Sequence, residues 1–353
     1  LFTSANHTQR SLSTYPFPLF YEEWGLPPLE TYSFDYVGNR KHFKASAFQP
    51  DADAPWVKKA VRALGTRHRV LRCDIPSLLQ LLPEAVEAKD LPGMADVDSS
   101  LLYFCRKVAE RHTVALSGEC ADEVFGGYPW FERSELLEAD TFPWCPDLEF
   151  RRAVVKPELW ESLQVEDYVQ ARYQQSLAEM PALPGEALWE RRRREVGWLS
   201  LNWFMSTLLD RKDRMSMAAG LEVRVPFCDH HLVEYVWNIP WAMKAMNGQR
   251  KQVLRDAVEG LLPEELLRRP KSPYPKTHDP LYEQLVRARL LTILDDRDAP
   301  IHSLVDEKAL RAGLLSDAGD YGKPWFGQLM AGPQMLAYLI QINEWMSRYH
   351  LTV

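Results

Sequence analysis

The segment 113–128 constrains the chain most, because an apolar run there ends in small and acidic residues. The run has the pattern of a short buried strand, and Ser117-Gly118 follows it. Three carboxylates come within the next five residues: Glu119, Asp122 and Glu123. Backbone N–H groups at such a junction bind anions, and carboxylates repel a bound anion unless a divalent cation lies between. The segment therefore predicts a nucleotide phosphate bound with Mg²⁺. The structural alternative is a helix whose acidic first turn suits the helix dipole.

Length and charge narrow the classes of protein. The 353 residues are enough for a large core and two subdomains. The net charge is −7, and the one basic cluster is 191–194. It lies in a helical pattern between Glu190 and Glu195, so we interpret it as a solvated helix face and predict no nucleic-acid partner. No apolar run reaches membrane-spanning length and no signal peptide is visible, so we expect a cytoplasmic protein without a membrane partner.

The cysteines show neither CxxC spacing nor paired histidines. This pattern excludes the common zinc sites and the disulfide frameworks of small secreted domains. We therefore interpret all five as reduced cytosolic thiols: Cys73, Cys105, Cys120, Cys145 and Cys228.

Strand and helix signals alternate as far as Asp122. The predicted strands are 31–37, 69–73 and 113–116, and the predicted helices are 54–64, 77–87 and 99–111, with Asp53 as N-cap of the first. The alternation predicts an α/β fold with a parallel sheet between helices. Ligands bind beyond the carboxyl ends of the strands in such sheets, where Phe34-Asp35-Tyr36 and the Ser117-Gly118 turn would lie.

Helical periodicity dominates after Pro146. The predicted helices there are 165–177, 187–205, 232–237, 251–259, 281–291 and 326–345. Residues 1–20 carry no Asp or Glu and are rich in Ser, Thr and Pro, so we expect them to be loop-like and poorly ordered. We divide the chain into this atypical segment 1–20, an α/β nucleotide-binding subdomain 21–145, and a helical subdomain 146–353 that completes the site.

Charged residues in the second half form further candidates. Asp213 adjoins Arg214, and such pairs are more often structural ion pairs than catalytic groups. Lys251 lies at the opening turn of a predicted helix. A cation there opposes the helix dipole, which indicates that a phosphate or carboxylate faces it. The alternative is a solvated surface lysine.

The segment 94–100 offers a different kind of candidate. Asp98 or Ser99 is a good N-cap for the predicted helix 99–111. Asp96 and Asp98 are also the right residue type to hold an amino-acid substrate. Capping alone explains the pattern, so both interpretations stay open.

Together these stretches resemble asparagine synthetase, specifically the synthetase domain of the glutamine-hydrolysing bacterial form. Segment 117–128 resembles the family signature S-G-E-G-x-D-E-x-F-G-G-Y, and 213–229 resembles D-R-M-S-M-x-x-x-L-E-x-R-V-P-F-L-D. Segment 248–255 is similar to G-x-x-K-x-x-L-R, and 271–278 matches a further familiar stretch. The resemblance implies a nucleotide-binding domain of the PP-loop ATPase (adenine nucleotide α-hydrolase-like) kind, followed by a mostly helical region.

The resemblance also implies the chemistry of an ATP-dependent amidoligase. In the family, the side-chain carboxylate of aspartate attacks the α-phosphate of ATP, and pyrophosphate leaves with Mg²⁺. Ammonia then converts β-aspartyl-AMP to asparagine and AMP. The implied partners are aspartate, ammonia, a glutaminase domain in the full-length parent, and a second copy of the chain in a homodimer.

The resemblance assigns roles by motif position. Ser117 and Gly118 would contact the adenylate, and Asp122 would hold Mg²⁺ and pyrophosphate. Lys251 would stabilise charge on the phosphate, and Glu119 would accept a proton from ammonia. The adenine would be bordered by Phe34, Asp35 and Tyr36.

Three departures from the family pattern matter. The phosphate loop S-G-G-x-D-S is replaced by the segment 1–10, and no glycine precedes Gly25, so we expect ATP binding by this chain to be weak or lost. The start of the chain would then be divergent, truncated or mistranslated. The glutaminase domain is not in the sequence, which would restrict the chain to free ammonia. Cys120 stands where the signature has Gly and would crowd the phosphate turn.

Two other functions compete with asparagine synthesis. β-Lactam synthetases resemble this domain but carry Tyr at the position of Glu119, so Glu119 argues against that activity. A pseudoenzyme that binds a nucleotide or a partner chain is the second alternative, and the missing glycine loop motivates it.

Overall fold

The structure is a computed structural model that describes residues 2–3, 16–45, 51–245, 248–269, 271–313 and 324–353. The strands in these ranges are all parallel and form two small sheets. They are β1 (Phe2–Thr3), β2 (Glu30–Tyr36), β3 (Arg67–Cys73), β4 (Val114–Leu116) and β5 (Glu222–Arg224). The first sheet has the order β1-β2-β3, and β4 pairs with β5 in the second.

Helices fill the rest of the architecture. In chain order they are α1 (Pro16–Glu23), α2 (Asn39–His42), α3 (Ala54–Leu64), α4 (Ile75–Lys89), α5 (Asp96–Ala109), α6 (Ala121–Phe125), α7 (Ser134–Leu137), α8 (Glu149–Arg152), α9 (Pro157–Leu163), α10 (Val165–Ala178), α11 (Leu188–Leu199), α12 (Ser206–Met217), α13 (His230–Trp237), α14 (Trp241–Lys244), α15 (Gln252–Asp256), α16 (Glu264–Leu267), α17 (Pro280–Asp295), α18 (Glu307–Ala312) and α19 (Gly332–Tyr349). A π-helical turn, Ser200–Met205, joins α11 to α12. Within the described ranges, no helix is both long enough and apolar enough to cross a membrane.

Local sequence sets several helix starts. Asp74 accepts a hydrogen bond from the backbone N–H of Ser77 at 2.8 Å and so caps α4. Asp279 caps α17 in the same way by accepting from the N–H of Leu281 at 2.9 Å. Both helices also carry proline within their first two positions, where the missing N–H has no intrahelical partner to lose.

The prediction of parallel α/β structure is confirmed, but the three predicted strands do not form one sheet. Strand β4 pairs with β5, with Val114 opposite Glu222 and Leu116 opposite Arg224. The sequence Glu-Val-Arg of β5 is too short and too polar to give a strand signal. Because β4 and β5 lie far apart in sequence, their pairing ties the predicted α/β part to the helical part.

One predicted N-cap is confirmed in position and the other is wrong. Asp53 occupies the N-cap position of helix α3, which spans the predicted residues 54–64, but its side chain makes no capping bond and pairs with Arg269. Helix α5 begins at Asp96, so Asp98 and Ser99 lie inside it and neither is its N-cap. The Asp98 carboxylate accepts from the N–H of Met94 at 2.8 Å and thereby holds the preceding loop against the helix.

The predicted helical region after residue 146 is confirmed, with different limits. The helix predicted over 187–205 continues through the π-helical turn to Met217. The helix predicted from residue 326 begins only at Gly332, because Phe326 and Met330 pair in an isolated antiparallel bridge.

The segment 1–20 is partly regular, which corrects the expectation of a loop. Phe2 and Thr3 form β1 beside β2, with Phe2 opposite Tyr32, and α1 begins at Pro16. Residues 4–15 lie outside the described residues, and with them most of the segment 1–10 in which the phosphate loop was sought.

The largest hydrophobic cluster draws on both predicted subdomains. Tyr32 of β2 and Leu82 of α4 are buried in it, and so are Val286 of α17 and Leu336 of α19. Helix α19 packs against α4 and α17. The division predicted near residue 145 is therefore not a break in the core.

We expect Leu82→Ala to lower the free energy of unfolding by about 2–5 kcal/mol, because Leu82 is fully buried and the substitution leaves a cavity. Leu163→Ala is the matched control: its side chain is 59% exposed, so a change within about 0.5 kcal/mol is expected. Urea unfolding measures both values. Equal losses in the two variants would contradict the placement of the core.

Candidate functional site

The turn after β4 begins the site. The backbone N–H of Ser117 donates to the carbonyl of Arg224 at 2.9 Å, which fixes the end of β4 against β5. Helix α6 then starts after Cys120, whose φ of 76° is left-handed, and ends at Gly126 with φ 70°. Gly127 is required by close approach, because a Cβ there would collide with the carboxylate of Asp122. The turn therefore packs its own backbone against an acidic side chain.

Asp122 is the centre of a buried ion-pair cluster. Its Oδ1 lies 2.7 Å from the Nζ of Lys251, and its Oδ2 lies 2.5 Å from the Nζ of Lys271. The signature turn and Lys251 are therefore in direct contact, although Lys251 is not among the residues that line the cavity described below. Lys251 occupies the N-cap position of the short helix α15, with φ 56°, rather than a place in its first turn. The Nζ of Lys271 also lies 4.1 Å from the ring centroid of Tyr128.

Burial and charge shift the pKa values of this cluster in opposite senses. Burial alone would raise the pKa of Asp122, but the ammonium groups of Lys251 and Lys271 outweigh it and hold that pKa well below its usual range. Burial lowers the pKa of Lys251 to about 7, an effect opposed by Asp122 and reinforced by Lys271. Two cations share one carboxylate, so the cluster is suited to a further anion.

A second ion-pair cluster surrounds Glu119. Its Oε1 lies 3.1 Å from the Nζ of Lys212 and 3.6 Å from Nη2 of Arg211. Both cations are buried on α12. The candidates Asp213 and Arg214, one step further along the same helix, are exposed.

Arg214 pairs with neighbours on the surface instead. Its Nε lies 3.5 Å from the carboxylate of Asp210, and its Nη1 lies 3.8 Å from that of Asp90. This is the structural ion-pair arrangement considered from the sequence, although the partner is not Asp213.

Glu123, the third carboxylate of the signature, turns away from the lysines. Its Oε1 accepts a hydrogen bond from the hydroxyl of Tyr128 at 2.7 Å. Burial, together with the negative charge of Asp122, raises its pKa to about 7. Glu123 is therefore a group whose protonation changes near neutral pH.

The two clusters open on one cavity of about 100 Å³. Its wall includes Gly118, Glu119, Asp122, Arg211 and Lys271. Apolar and aromatic side chains form much of the remaining wall: Met94, Tyr128, Phe204, Leu208, Pro273, Tyr274 and Leu329. Cys120, Glu123, Ser272, Gly327 and Gln328 also line it.

The residues expected to border adenine are not among those that line this cavity. Phe34 and Tyr36 are buried in the core, and Phe34 stacks on Tyr274 with 6.2 Å between ring centroids. Asp35, at the end of β2, accepts hydrogen bonds from its neighbour Tyr36 and from Asn39. Phe34 thus touches the cavity only through Tyr274, which lines it.

Asp96 and Asp98 are fully buried in the first turn of α5. Burial raises the pKa of Asp96 to about 6, while the neighbouring Tyr282 hydroxyl and a hydrogen bond from Gln334 oppose the shift. Burial also raises the pKa of Asp98, with Arg211 and Lys89 acting in the other direction. Neither carboxylate is among the cavity-lining residues. Asp98 contacts the wall indirectly, through its hydrogen bond from the N–H of Met94.

The interpretation of all cysteines as reduced thiols is wrong for one pair. Cys120 and Cys228 form a disulfide, with 5.8 Å between their Cα atoms. The two residues are 108 positions apart, so no local spacing pattern indicates that they pair. Cys73, Cys105 and Cys145 are free thiols, as expected.

Sequence reasoning missed three cations of the site: Lys271, Arg211 and Lys212. A signal existed for the two on α12, because Arg211 and Lys212 lie three and four residues after Leu208 and four and three before Met215, which puts both on the apolar face of the helix. Lys271 lies in an irregular segment, where no periodicity indicates its direction.

The carboxylates do not cluster as a metal centre by themselves. Within the described ranges, no group of three or more His, Cys, Asp or Glu side chains is arranged to hold a metal ion. Asp122 offers a carboxylate beside two lysines of the kind that attract phosphate. The donor set fits Mg²⁺ that arrives with phosphate oxygens, since Mg²⁺ commonly uses one or two carboxylates plus substrate phosphates.

Comparison with known proteins assigns the family. The family model described as asparagine synthase matches residues 5–347. Asparagine synthetase (glutamine-hydrolyzing) 3 of Bacillus subtilis (strain 168) is 50% identical over 333 residues, covering 94% of this chain and 54% of that relative. Asparagine synthetase (glutamine-hydrolyzing) 1 of the same strain is 29% identical over 281 residues, covering 70% of this chain and 42% of that relative. The chain spans about half the length of the curated relatives it matches.

We expect Glu123→Gln to change how stability depends on pH. Unfolded glutamate titrates near 4.5 and folded Glu123 near 7, so between these values the folded state binds more protons. The free energy of unfolding of the wild type therefore falls by on the order of 3 kcal/mol as the pH rises from 4.5 to 7. Glu123→Gln cannot titrate at this position and should lack that fall.

Urea unfolding at pH 5 and pH 8 measures the effect. The loss of stability between the two pH values should be larger for the wild type than for Glu123→Gln. Glu110→Gln, at an exposed carboxylate, serves as the control and should behave like the wild type. Equal pH dependence in wild type and Glu123→Gln would contradict the raised pKa.

Proposed function

This chain belongs to the asparagine synthase family, and from that premise we propose that it forms the synthetase part of an enzyme that amidates aspartate to asparagine. The proposed reaction uses ATP and passes through β-aspartyl-AMP. The observation that carries the proposal is the pair of buried ion-pair clusters, around Asp122 and around Glu119, on the wall of one cavity.

The proposed fold of the nucleotide-binding part is of the PP-loop type. In support, β1 runs parallel to β2 and α1 follows it, which is the strand–loop–helix order that such a phosphate loop requires. The Ser117-Gly118 turn lies at the carboxyl end of another parallel strand, β4. Both junctions are of the kind at which α/β proteins bind ligands.

The cluster of Lys251, Lys271 and Asp122 is proposed to bind the phosphates. An incoming polyphosphate would supply the negative charge that two lysines lack when they share one carboxylate. Fixed cations aimed at a phosphoryl group stabilise charge that develops during its transfer. Asp122 would then be available to Mg²⁺, which supplies charge neutralisation at the leaving pyrophosphate when bound.

Glu119 is proposed to accept the proton of the attacking ammonia. Arg211 and Lys212 lie beside its carboxylate, and neighbouring cations favour the ionised form that a proton acceptor requires. Ser117 and Gly118 would contact the adenylate from the same turn. The apolar wall beside Glu119 would keep water from the acyl-adenylate.

Aspartate, ammonia and a glutaminase domain are the proposed partners of the whole protein. Both Bacillus subtilis relatives are named as glutamine-hydrolyzing enzymes. The chain covers 54% of the length of asparagine synthetase 3 and 42% of that of asparagine synthetase 1. The assembly into a homodimer stays a prediction.

A non-catalytic role is the second candidate, favoured by the sequence before Gly25, which contains no glycine for a phosphate loop. Titration of the chain with ATP and Mg²⁺ by calorimetry separates the candidates. Tight nucleotide binding without turnover supports the non-catalytic role.

A β-lactam-synthetase-like activity would show as pyrophosphate release with carboxyethyl amino acids in place of aspartate.

The proposed function is tested with the full-length protein, ATP, Mg²⁺, aspartate and ammonia. Equal amounts of asparagine, AMP and pyrophosphate are expected, since the acyl-adenylate route releases one of each per turnover. Formation of AMP without asparagine would reject the proposal.

We expect Lys271→Gln to lower kcat by about 10²-fold, because one of the two cations facing the phosphate site is removed. Lys107→Gln is the matched control at an exposed lysine and should retain wild-type kcat. Steady-state pyrophosphate release measures both. A loss of less than about threefold in Lys271→Gln would contradict the phosphate role of Lys271.

A further inference from the structure

Arg211 is a buried guanidinium whose hydrogen-bonding capacity is poorly used. Its side chain is only 5% exposed, and its Nε has no hydrogen-bond partner in the part of the chain that the structure describes. Nη1 contacts the sulfur of Met94 at 3.9 Å, and Nη2 reaches Glu119 only at 3.6 Å. Buried polar groups are nearly always paired, and an unpaired one is costly. Among the described residues, the Nε of Arg211 therefore lacks an oxygen acceptor.

Arg211 lines the same cavity as Glu119, Asp122 and Lys271, so a ligand bound there can reach its guanidinium. Around the guanidinium the wall is formed by Met94, Leu208 and the ring of Tyr274, whose centroid lies 5.6 Å from the guanidinium carbon.

We propose that Arg211 binds the carboxylate of the acceptor amino acid that does not react, and so selects α-amino dicarboxylates. The inference rests on the proposed function. The planar fork of arginine matches a carboxylate through two parallel hydrogen bonds, which lysine cannot offer. The lysines proposed to bind phosphate surround Asp122 instead, which leaves Arg211 beside Glu119 for a carboxylate.

The test compares aspartate with its α-amide, which keeps the β-carboxylate but replaces the other carboxylate by a neutral group. In Arg211→Met, KM for aspartate should rise about 10²-fold, as expected when a buried charged hydrogen bond is lost. The inhibition constant of the α-amide against aspartate, and KM for ATP, should stay within about threefold of wild type. Arg106→Met, at an exposed arginine, is the matched control and should change none of these constants.

Each result decides the inference. Equal weakening of aspartate and its α-amide, or a rise in KM for ATP instead, overturns it. If Arg211→Met does not fold, Arg211→Lys keeps the charge and removes the fork, and a loss of about tenfold confined to aspartate is expected. A wild-type protein that makes no pyrophosphate with aspartate overturns the proposed function itself, which is a distinguishable failure.

An independent observation concerns the disulfide. Cys120 lies in the signature turn with φ 76°, a conformation that non-glycine residues rarely adopt, and Cys228 lies in the 3₁₀ turn after β5. The bond therefore spans the same two segments that β4 and β5 bring together. A side chain held at positive φ relaxes to negative φ unless its surroundings prevent it. We infer that the disulfide holds the turn that carries Glu119 and Asp122.

The bond forms and breaks by thiol–disulfide exchange with a low-molecular-weight disulfide such as oxidised glutathione. The partly exposed Cys228 thiolate attacks that disulfide, and one glutathione thiolate leaves. The Cys120 thiolate then attacks the sulfur of Cys228 and releases the second glutathione. Two protein thiols become one disulfide, and one oxidised glutathione becomes two reduced ones.

Reduction should therefore loosen the turn. Treatment with a dithiol should lower Tm by roughly 5 °C or more and lower kcat/KM for aspartate several-fold, and oxidised glutathione should restore both. The double variant Cys120→Gly, Cys228→Leu permits the positive φ without a bond and should be insensitive to reductant. The inference fails if wild type and double variant respond alike, or if mass spectrometry of the oxidised protein finds these two thiols free.

Discussion

The site depends on two ammonium groups that share one buried carboxylate. Lys251 and Lys271 each reach Asp122, and all three side chains are almost wholly buried. Burying charge is costly unless it is paired, and here the pairing leaves one positive charge in excess. An excess charge that is buried away from water is costly, and an anion bound at the adjoining turn would offset it. The glycine-rich end of the signature, where Gly127 lets backbone pack against Asp122, provides that turn.

The fold serves this cluster by bringing together segments far apart in sequence. Strand β4 presents Ser117-Gly118, and its partner β5 fixes the turn from the other side through the carbonyl of Arg224. Helix α12, which precedes β5, aims Arg211 and Lys212 at Glu119. The disulfide between Cys120 and Cys228 joins the same two segments covalently. Positive groups from the helical part thus meet acidic groups from the α/β part.

Sequence reasoning succeeded where the signal was local. Apolar periodicity located α3 at its observed limits, and motif spacing led to the meeting of Asp122 with Lys251. It failed where contacts are long-range or elements short. The three residues of β5 carry no strand pattern, and helix phase alone decides that Arg211 faces the cavity while Arg214 faces solvent. The bond of Cys120 to Cys228 depends on the β4–β5 pairing, which the sequence does not reveal.

The central claim is that the cluster at Asp122 receives the phosphates of ATP. A crystal structure of the full-length protein with Mg²⁺, aspartate and a non-hydrolysable ATP analogue tests it most directly. We expect phosphate oxygens within hydrogen-bonding distance of the Nζ atoms of Lys251 and Lys271, with the Asp122 carboxylate turned towards Mg²⁺. A nucleotide bound elsewhere, with both lysines still on Asp122, would contradict the account.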